Sequence, residues 1–149
     1  MAMTMAGEIE LAAPRKTVWA KLNDPETLKS CIPGCEVLNP ISDHEFEAVA
    51  VNKIGPVKAK FKAKVVLSDI VELEGYRIEG NGDGGMAGFA KGAASIHLAD
   101  RGENTVLSYN VETQIGGKLA QLGQRLIDGV AKKLADEFFS RFAAAVKEH

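Results

Sequence analysis

The sequence predicts an α+β protein in which a curved antiparallel sheet of about seven strands wraps around one long C-terminal helix. Three observations lead there. After Gly116-Gly117 the apolar positions Leu119, Leu122, Leu126, Val130, Leu134, Phe138, Phe142 and Val146 recur at steps of three and then four, which is a helix period. From Cys35 to Ile115 the chain reads as strand after strand, most clearly where Val57, Ala59, Phe61, Ala63 and Val65 alternate with Lys58, Lys60, Lys62 and Lys64. One dry face and one wet face is the pattern of an antiparallel sheet covered on a single side. Only two short helices, just after the first strand, interrupt this order.

Gly7-Glu8-Ile9-Glu10-Leu11 alternates and forms the first strand. Pro14 starts a short helix carrying Val18, Trp19 and Leu22; proline is tolerated in a first turn, although Ala13 is a poor cap. Asp24-Pro25 supplies an N-cap and a first helical residue for a second short helix through Leu28, which stops at Pro33-Gly34. Glu36-Val37-Leu38 precedes a turn at Asn39-Pro40. His44 to Ile54 forms a strand closed by Gly55-Pro56, and the lysine-rich strand follows. Tyr76 to Gly80 alternates, a glycine-rich stretch intervenes, and Phe89 to Leu98 resumes. Asp100 to Asn104 is a hairpin loop before the last strand, Thr105 to Ile115.

The terminal helix is expected to run unbroken from Gly116 to Val146, with Lys118, Arg125, Asp128, Lys132, Lys133, Asp136 and Arg141 on its wet side. A sheet of this length curls, so the helix must bury its stripe in the concave face, a helix-grip arrangement. Gly123 falls on the apolar side of this helix. A mid-helix glycine costs about 1 kcal/mol relative to alanine, so either a strand backbone packs close to it or space is left for a ligand.

The 149 residues form one expected domain, 1–149, with enough apolar content (46%) for a core. A net charge of −2 argues against nucleic acid as a partner. No apolar run approaches the roughly 20 residues of a membrane span, and Met1 to Met5 lacks the basic end and apolar stretch of a signal peptide. A cytoplasmic location is expected.

Four stretches carry a family resemblance: Asp24 to Glu36 (DPETLKSCIPGCE), Lys53 to Phe61 (KIGPVKAKF), Gly88 to Ala94 (GFAKGAA) and Gly116 to Ile127 (GGKLAQLGQRLI). Together they resemble the CoxG family, named for the G subunit of carbon monoxide dehydrogenase, within the START-like (SRPBCC) superfamily. The resemblance implies a helix-grip fold with a deep apolar cavity between sheet and helix. It also implies a non-catalytic accessory or membrane-recruitment role beside a molybdenum hydroxylase of the carbon monoxide dehydrogenase type. Longer members carry a Pro-rich linker and a C-terminal membrane helix. This chain ends at His149, so membrane contact is expected to be at most peripheral, at the inner face.

Several constellations invite chemistry. Gly80-x-Gly82-x-x-Gly85 fits the dinucleotide fingerprint as a string, but a strand rather than a helix follows it. A loop between strands is the simpler reading, and Met86 and Phe89 among these glycines could form an apolar lid. Cys31-Ile32-Pro33-Gly34-Cys35 has three intervening residues where redox pairs usually have two, and His44, His97 and His149 show no ligand spacing with it. Packed free thiols are therefore expected, with no metal and no cofactor. The row Lys58, Lys60, Lys62, Lys64 could meet an anionic surface, but a solvated face with Glu45, Glu47 or Glu79 as cross-strand partners suits the overall acidity better.

No nucleophile–base pair emerges, so no catalytic residues are expected and the chain is read as a non-enzyme. The expected activity is binding of a hydrophobic or amphipathic small molecule, lipid- or quinone-like. The expected walls are Phe46, Ala48, Ala50, Phe61, Ala63, Tyr109 and Val111 under a roof of Leu119, Leu122, Gly123 and Leu126, with Met86 and Phe89 at the mouth. An isoprenoid quinone follows as a ligand only from the resemblance. The alternatives are a pure protein adaptor with a filled core, or a cyclase-like enzyme, which would need an acid/base pair inside.

Overall fold

The computed structural model describes residues 1–147. Strand β1 (Ala2–Leu11) leads to helices α1 (Arg15–Leu22) and α2 (Pro25–Cys31). The meander β2 (Cys35–Ser42), β3 (Glu45–Ile54), β4 (Val57–Val71), β5 (Gly75–Asp83), β6 (Phe89–Arg101) and β7 (Asn104–Gly116) follows, and helix α3 (Gln124–Lys147) ends the described chain. All neighbours are antiparallel in one seven-stranded sheet, ordered β1-β7-β6-β5-β4-β3-β2. The first strand is longer than expected, since Ala2 already pairs with Gln114 and Met1 exchanges hydrogen bonds with Ile115.

The short helices form for the reasons their sequences give. Asp24 caps α2 through Glu26 N–H (3.3 Å) and also accepts from the Thr27 hydroxyl (2.7 Å), with Pro25 in the first turn. Helix α1 has no side-chain cap; Pro14 is its N-cap, and the Pro14 carbonyl accepts from Thr17 and Val18 N–H. Gly34, at φ +75°, closes the turn into β2, and a Cβ there would strike the Val51 carbonyl. The sheet bends where β4 slips register against β5 between Ser68 and Val71, with Asp69 at φ +50°.

Two apolar clusters hold α3 to this sheet, one near each end of the helix. Phe142 and Val146 are fully buried with Leu11, Val18, Leu22, Tyr76, Leu98 and Leu107. Trp19 packs on Tyr76 at 5.7 Å between ring centroids, so it anchors α1 to the sheet. At the other end Ile127 meets Met3, Ile54, Ile115 and Leu119. Between the clusters Leu134 and Ala135 are only half-buried and belong to neither. The helix lies against α1, α2 and β1, toward one side of the sheet.

The expectation of an unbroken helix from Gly116 is corrected. Residues Gly117–Leu122 form a 3-10 segment, Gly123 turns at φ +92°, and α3 starts at Gln124. Gly123 is therefore a hinge between two helical pieces, and a Cβ there would meet nothing within 4 Å. The glycine inside the helix is Gly129, which is exposed and also has nothing near its Cβ position. The two should respond oppositely to alanine. Gly129→Ala is expected to stabilise by about 1 kcal/mol, and Gly123→Ala to destabilise by about 1–2 kcal/mol because of its left-handed backbone. Urea denaturation of both variants checks this; equal signs would contradict the helix break.

Candidate functional site

Alternation along the strands sorts their residues into an outer face and an inner face turned toward α3. At the centre of the inner face the register brings small residues side by side. Ala63 lies opposite Gly82, Gly82 opposite Ala90, Gly80 opposite Gly92, and Ala94 opposite Val111. With Phe61, Ile78 and Thr113 these residues form a trough of about 330 Å³ whose walls all come from β4, β5, β6 and β7. Its apolar residues are partly exposed, with Ile78 packed on the cluster at one side and Phe61 and Ala90 on the other, whereas the cores of those clusters are dry. The depth comes from missing side chains. A Cβ on Gly80 would meet nothing within 4 Å, and on Gly82 it would be 3.7 Å from the Phe61 ring.

Of the residues expected to enclose a cavity, the trough brings together Phe61, Ala63 and Val111. Phe46, Ala48 and Ala50 share the inner face but sit one strand further out, opposite Val65, Ala63 and Phe61, and do not wall it. Leu119 is buried in the Ile127 cluster with Leu122 packed against it, so both serve the core. Leu126 is 37% exposed and lies over Gly55. Tyr109 lies flat across Gly7, whose Cβ would come 2.6 Å from its hydroxyl, and stacks on Phe139 at 4.9 Å. It is a strut between sheet and helix.

Met86 is 90% exposed at the tip of a 3-10 turn, Gly85–Ala87. Phe89 points to the outer face, where its ring covers Gly116 and Lys91 Nζ stands 6.0 Å from its centroid. Gly80 and Gly82 belong to β5 and only Gly85 lies in the turn, so the fingerprint-like string straddles a strand end. Ending the strand at Gly80 and reading the glycines beyond it as a loop left out Gly82, which belongs to the floor of the trough. The signal was present: Tyr76, Ile78, Gly80 and Gly82 keep a strict two-residue period.

The remaining candidates resolve into structure. Cys31 is buried in the larger cluster, and the Cys35 thiol donates to the Val37 carbonyl at 3.3 Å; both are free. Burial pushes both thiols up from their usual value, outweighing the opposing pull of Arg141 on Cys31 and Lys29 on Cys35. Two of the four row lysines find partners, Lys60 with Glu36 at 3.8 Å and Lys64 with Glu45 at 3.5 Å, while Glu79 pairs with Arg77. His44 and His97 are exposed; His149 lies outside the described residues. Among the described residues no group of three or more His, Cys, Asp or Glu could hold a metal ion.

Tyr76 is buried and donates to the Leu22 carbonyl at 3.1 Å, and burial raises its phenol far above the usual range. Cys31, Cys35 and Tyr76 therefore each hold a proton more tightly folded than unfolded. Above the unfolded values, 9.0 for the thiols and 10.0 for the phenol, the folded state binds more protons, so stability falls as pH rises. Melting temperature is expected to be flat with respect to these groups below about pH 8.5 and to decline above about pH 9. A Tyr76→Phe variant should lose the part of that decline that begins above about pH 10.

Solved structures place this architecture. The chain is similar to a conserved protein from Geobacillus kaustophilus, with 35% identity, a TM-score of 0.92, and coverage of 98% of this chain and 96% of that one. It is similar in fold to a START superfamily protein from Mycobacterium smegmatis (13% identity, TM-score 0.74, 97% of each chain). An aromatase/cyclase from Streptomyces sp. R1128 shares that fold as well (10% identity, TM-score 0.72, 99% of this chain and 94% of that one). No curated protein matches the chain. The curled antiparallel sheet with its long C-terminal helix is thus the helix-grip fold seen in START-like proteins. Within it the chain belongs to the CoxG family, that of the carbon monoxide dehydrogenase G subunit, whose model matches residues 7–147.

Proposed function

We propose that this protein binds a hydrophobic or amphipathic small molecule, lipid- or quinone-like, in the trough on the inner face of its sheet. It does so as a non-enzymatic accessory to a molybdenum hydroxylase of the carbon monoxide dehydrogenase type. One observation carries the reading: apolar inward residues at the centre of the sheet, Ala63, Ala94 and Val111 among them, stay partly exposed while the cores of both flanking clusters are dry. Apolar area left accessible in a concave site gains about 25 cal/mol per Å² when a ligand covers it. The volume, about 330 Å³, lies within the range of ligand sites. The trough is lined by Thr113, Asn81 and Lys91 besides its apolar residues, with Asn81 and Lys91 paired on the alternate strand positions, and the lining includes no carboxylate or imidazole, which suits holding a ligand better than acid/base chemistry. The family description supplies the accessory role and the partner class, and a partner that passes electrons onward makes an isoprenoid quinone a reasonable cargo.

The test substitutes the floor. Gly80 sits in regular strand with nothing near its Cβ position, so Gly80→Leu should fill the trough and leave the fold stable, since leucine also suits a strand better than glycine. Native mass spectrometry of the protein from cell extract, with lipid and quinone extraction, is expected to find a stoichiometric apolar passenger. Gly80→Leu should reduce its occupancy about tenfold or more, the loss of roughly 1.4 kcal/mol of binding. Wild-type protein that emerges without a passenger, and takes up neither lipids nor quinones, would instead identify an adaptor.

A further inference from the structure

The sheet has two edge strands, β1 and β2, and they are built differently. Strand β2 carries Pro40, and its register against β3 slips between Cys35 and Val37 and again between Pro40 and Ser42. Proline and bulges on an edge strand keep other chains from pairing with it. Strand β1 has neither. Its ten residues run against β7 without a shift of register, from Ala2 opposite Gln114 to Leu11 opposite Thr105.

Which backbone groups β1 leaves free follows from its pairing. Met1 and Ile115 exchange both their hydrogen bonds, and the direction of N–H and C=O alternates along a strand. Met3, Met5, Gly7, Ile9 and Leu11 therefore face β7, while Ala2, Thr4, Ala6, Glu8 and Glu10 turn their N–H and C=O to the open edge. All five are exposed, and among the described residues no backbone bond is made to them at that edge. Such a row of donors and acceptors is a template for an added strand.

The side chains of that row select the strand. They are small and uncharged at one half, Ala2, Thr4 and Ala6, and acidic at the other, Glu8 and Glu10. A second β1, antiparallel and centred on Ala6, sets Glu8 of each copy against Thr4 of the other, and Glu10 against Ala2. No two carboxylates then face each other. The same register matches donor to acceptor at every pair, because residues with outward backbone groups meet residues of the same kind. On the inner face it puts Met3 against Ile9 and Met5 against Gly7, apolar on apolar.

We propose that β1 pairs with β1 of a second copy, antiparallel about a two-fold axis at Ala6, so that two sheets join into one. The assembly closes at two chains, because the pairing uses the same edge on both and β2 offers no second one. One added ladder is a small interface, so dissociation in the micromolar range is expected. Sedimentation equilibrium of the full chain from about 1 to about 200 µM should show monomer–dimer exchange and nothing larger. Amide exchange followed by NMR locates the contact. The Thr4, Ala6 and Glu8 amides should slow about tenfold or more at the dimer end of that range, while Met5 and Gly7, already bonded to β7, are slow throughout. Ala6→Pro removes an N–H with no partner inside the chain, a change that an edge strand tolerates. It should weaken association roughly 25-fold, fivefold for each of the two lost bonds. Ala6→Lys keeps the backbone as it is and sets two ammonium groups across the axis; it should weaken association too, less so in about 0.5 M salt. Asn39→Lys, on the β2 edge, should leave association unchanged. Circular dichroism verifies the fold of each variant. A chain that stays monomeric over the whole range, a dimer whose Thr4, Ala6 and Glu8 amides exchange fast, or association indifferent to both Ala6 changes would overturn the proposal. So would a loss with Asn39→Lys equal to that with Ala6→Lys. The pairing leaves the trough untouched: monomeric protein that carries a passenger would sink this proposal and keep the carrier reading, and an empty dimer would do the reverse.

Discussion

The structure depends on how α3 is pinned. The apolar stripe of this helix is long enough to meet the sheet along its whole length, yet it is tied down dry only near its ends. One tie is Phe142 and Val146 in the cluster built with α1, β1 and β7; the other is Ile127 against Met3, Ile54, Ile115 and Leu119. Between those ties Leu134 and Ala135 are only partly buried, and no residue of α3 lines the trough. How deep the trough is depends on the side chains of the sheet itself. Large residues would have filled it and made a third cluster. Instead β4, β5 and β6 send up Ala63, Gly80, Gly82, Ala90, Gly92 and Ala94.

Pinning also explains the broken neck before α3. A strand leaving the sheet at Gly116 and a helix aimed across it have different directions, and the chain must change course over a few residues. It does so with a 3-10 segment bounded by Gly117 at φ +75° and Gly123 at φ +92°. Leu119, 2% exposed, anchors that segment and keeps the change of direction from being loose. The neck meets the β5–β6 turn where Gly88 closely approaches Gly116 and Gly117, contacts that leave no room for side chains.

Much of the architecture was legible because it rests on period and punctuation. The meander, the Asp24-Pro25 helix start and the terminal helix all follow from local pattern. Three features did not. The break at Gly123 was hidden because Leu119, Leu122 and Leu126 continue the helical spacing through a segment that is not α-helix. The extension of β5 past Gly80 to Gly82 was hidden because glycine signals a loop more often than a strand, although both hold inward positions of β5. Tyr109 and Leu126 were placed by the period of their elements and Phe89 by its setting among glycines. Their actual directions depend on partners distant in the chain, namely Gly7, Gly116 and Gly55. Sequence period says which face a residue takes, and tertiary neighbours decide what it covers.

The floor glycines are not equivalent. A Cβ on Gly92 would collide with the Glu112 carbonyl, while one on Gly80, directly across the ladder, would enter open space. Gly92 is therefore locked by its neighbour's backbone, and Gly80 is held only by whatever the trough must admit. The first has no room for a side chain, and the second can take one, so the depth of the trough can be retuned at Gly80 without disturbing a single strand pairing.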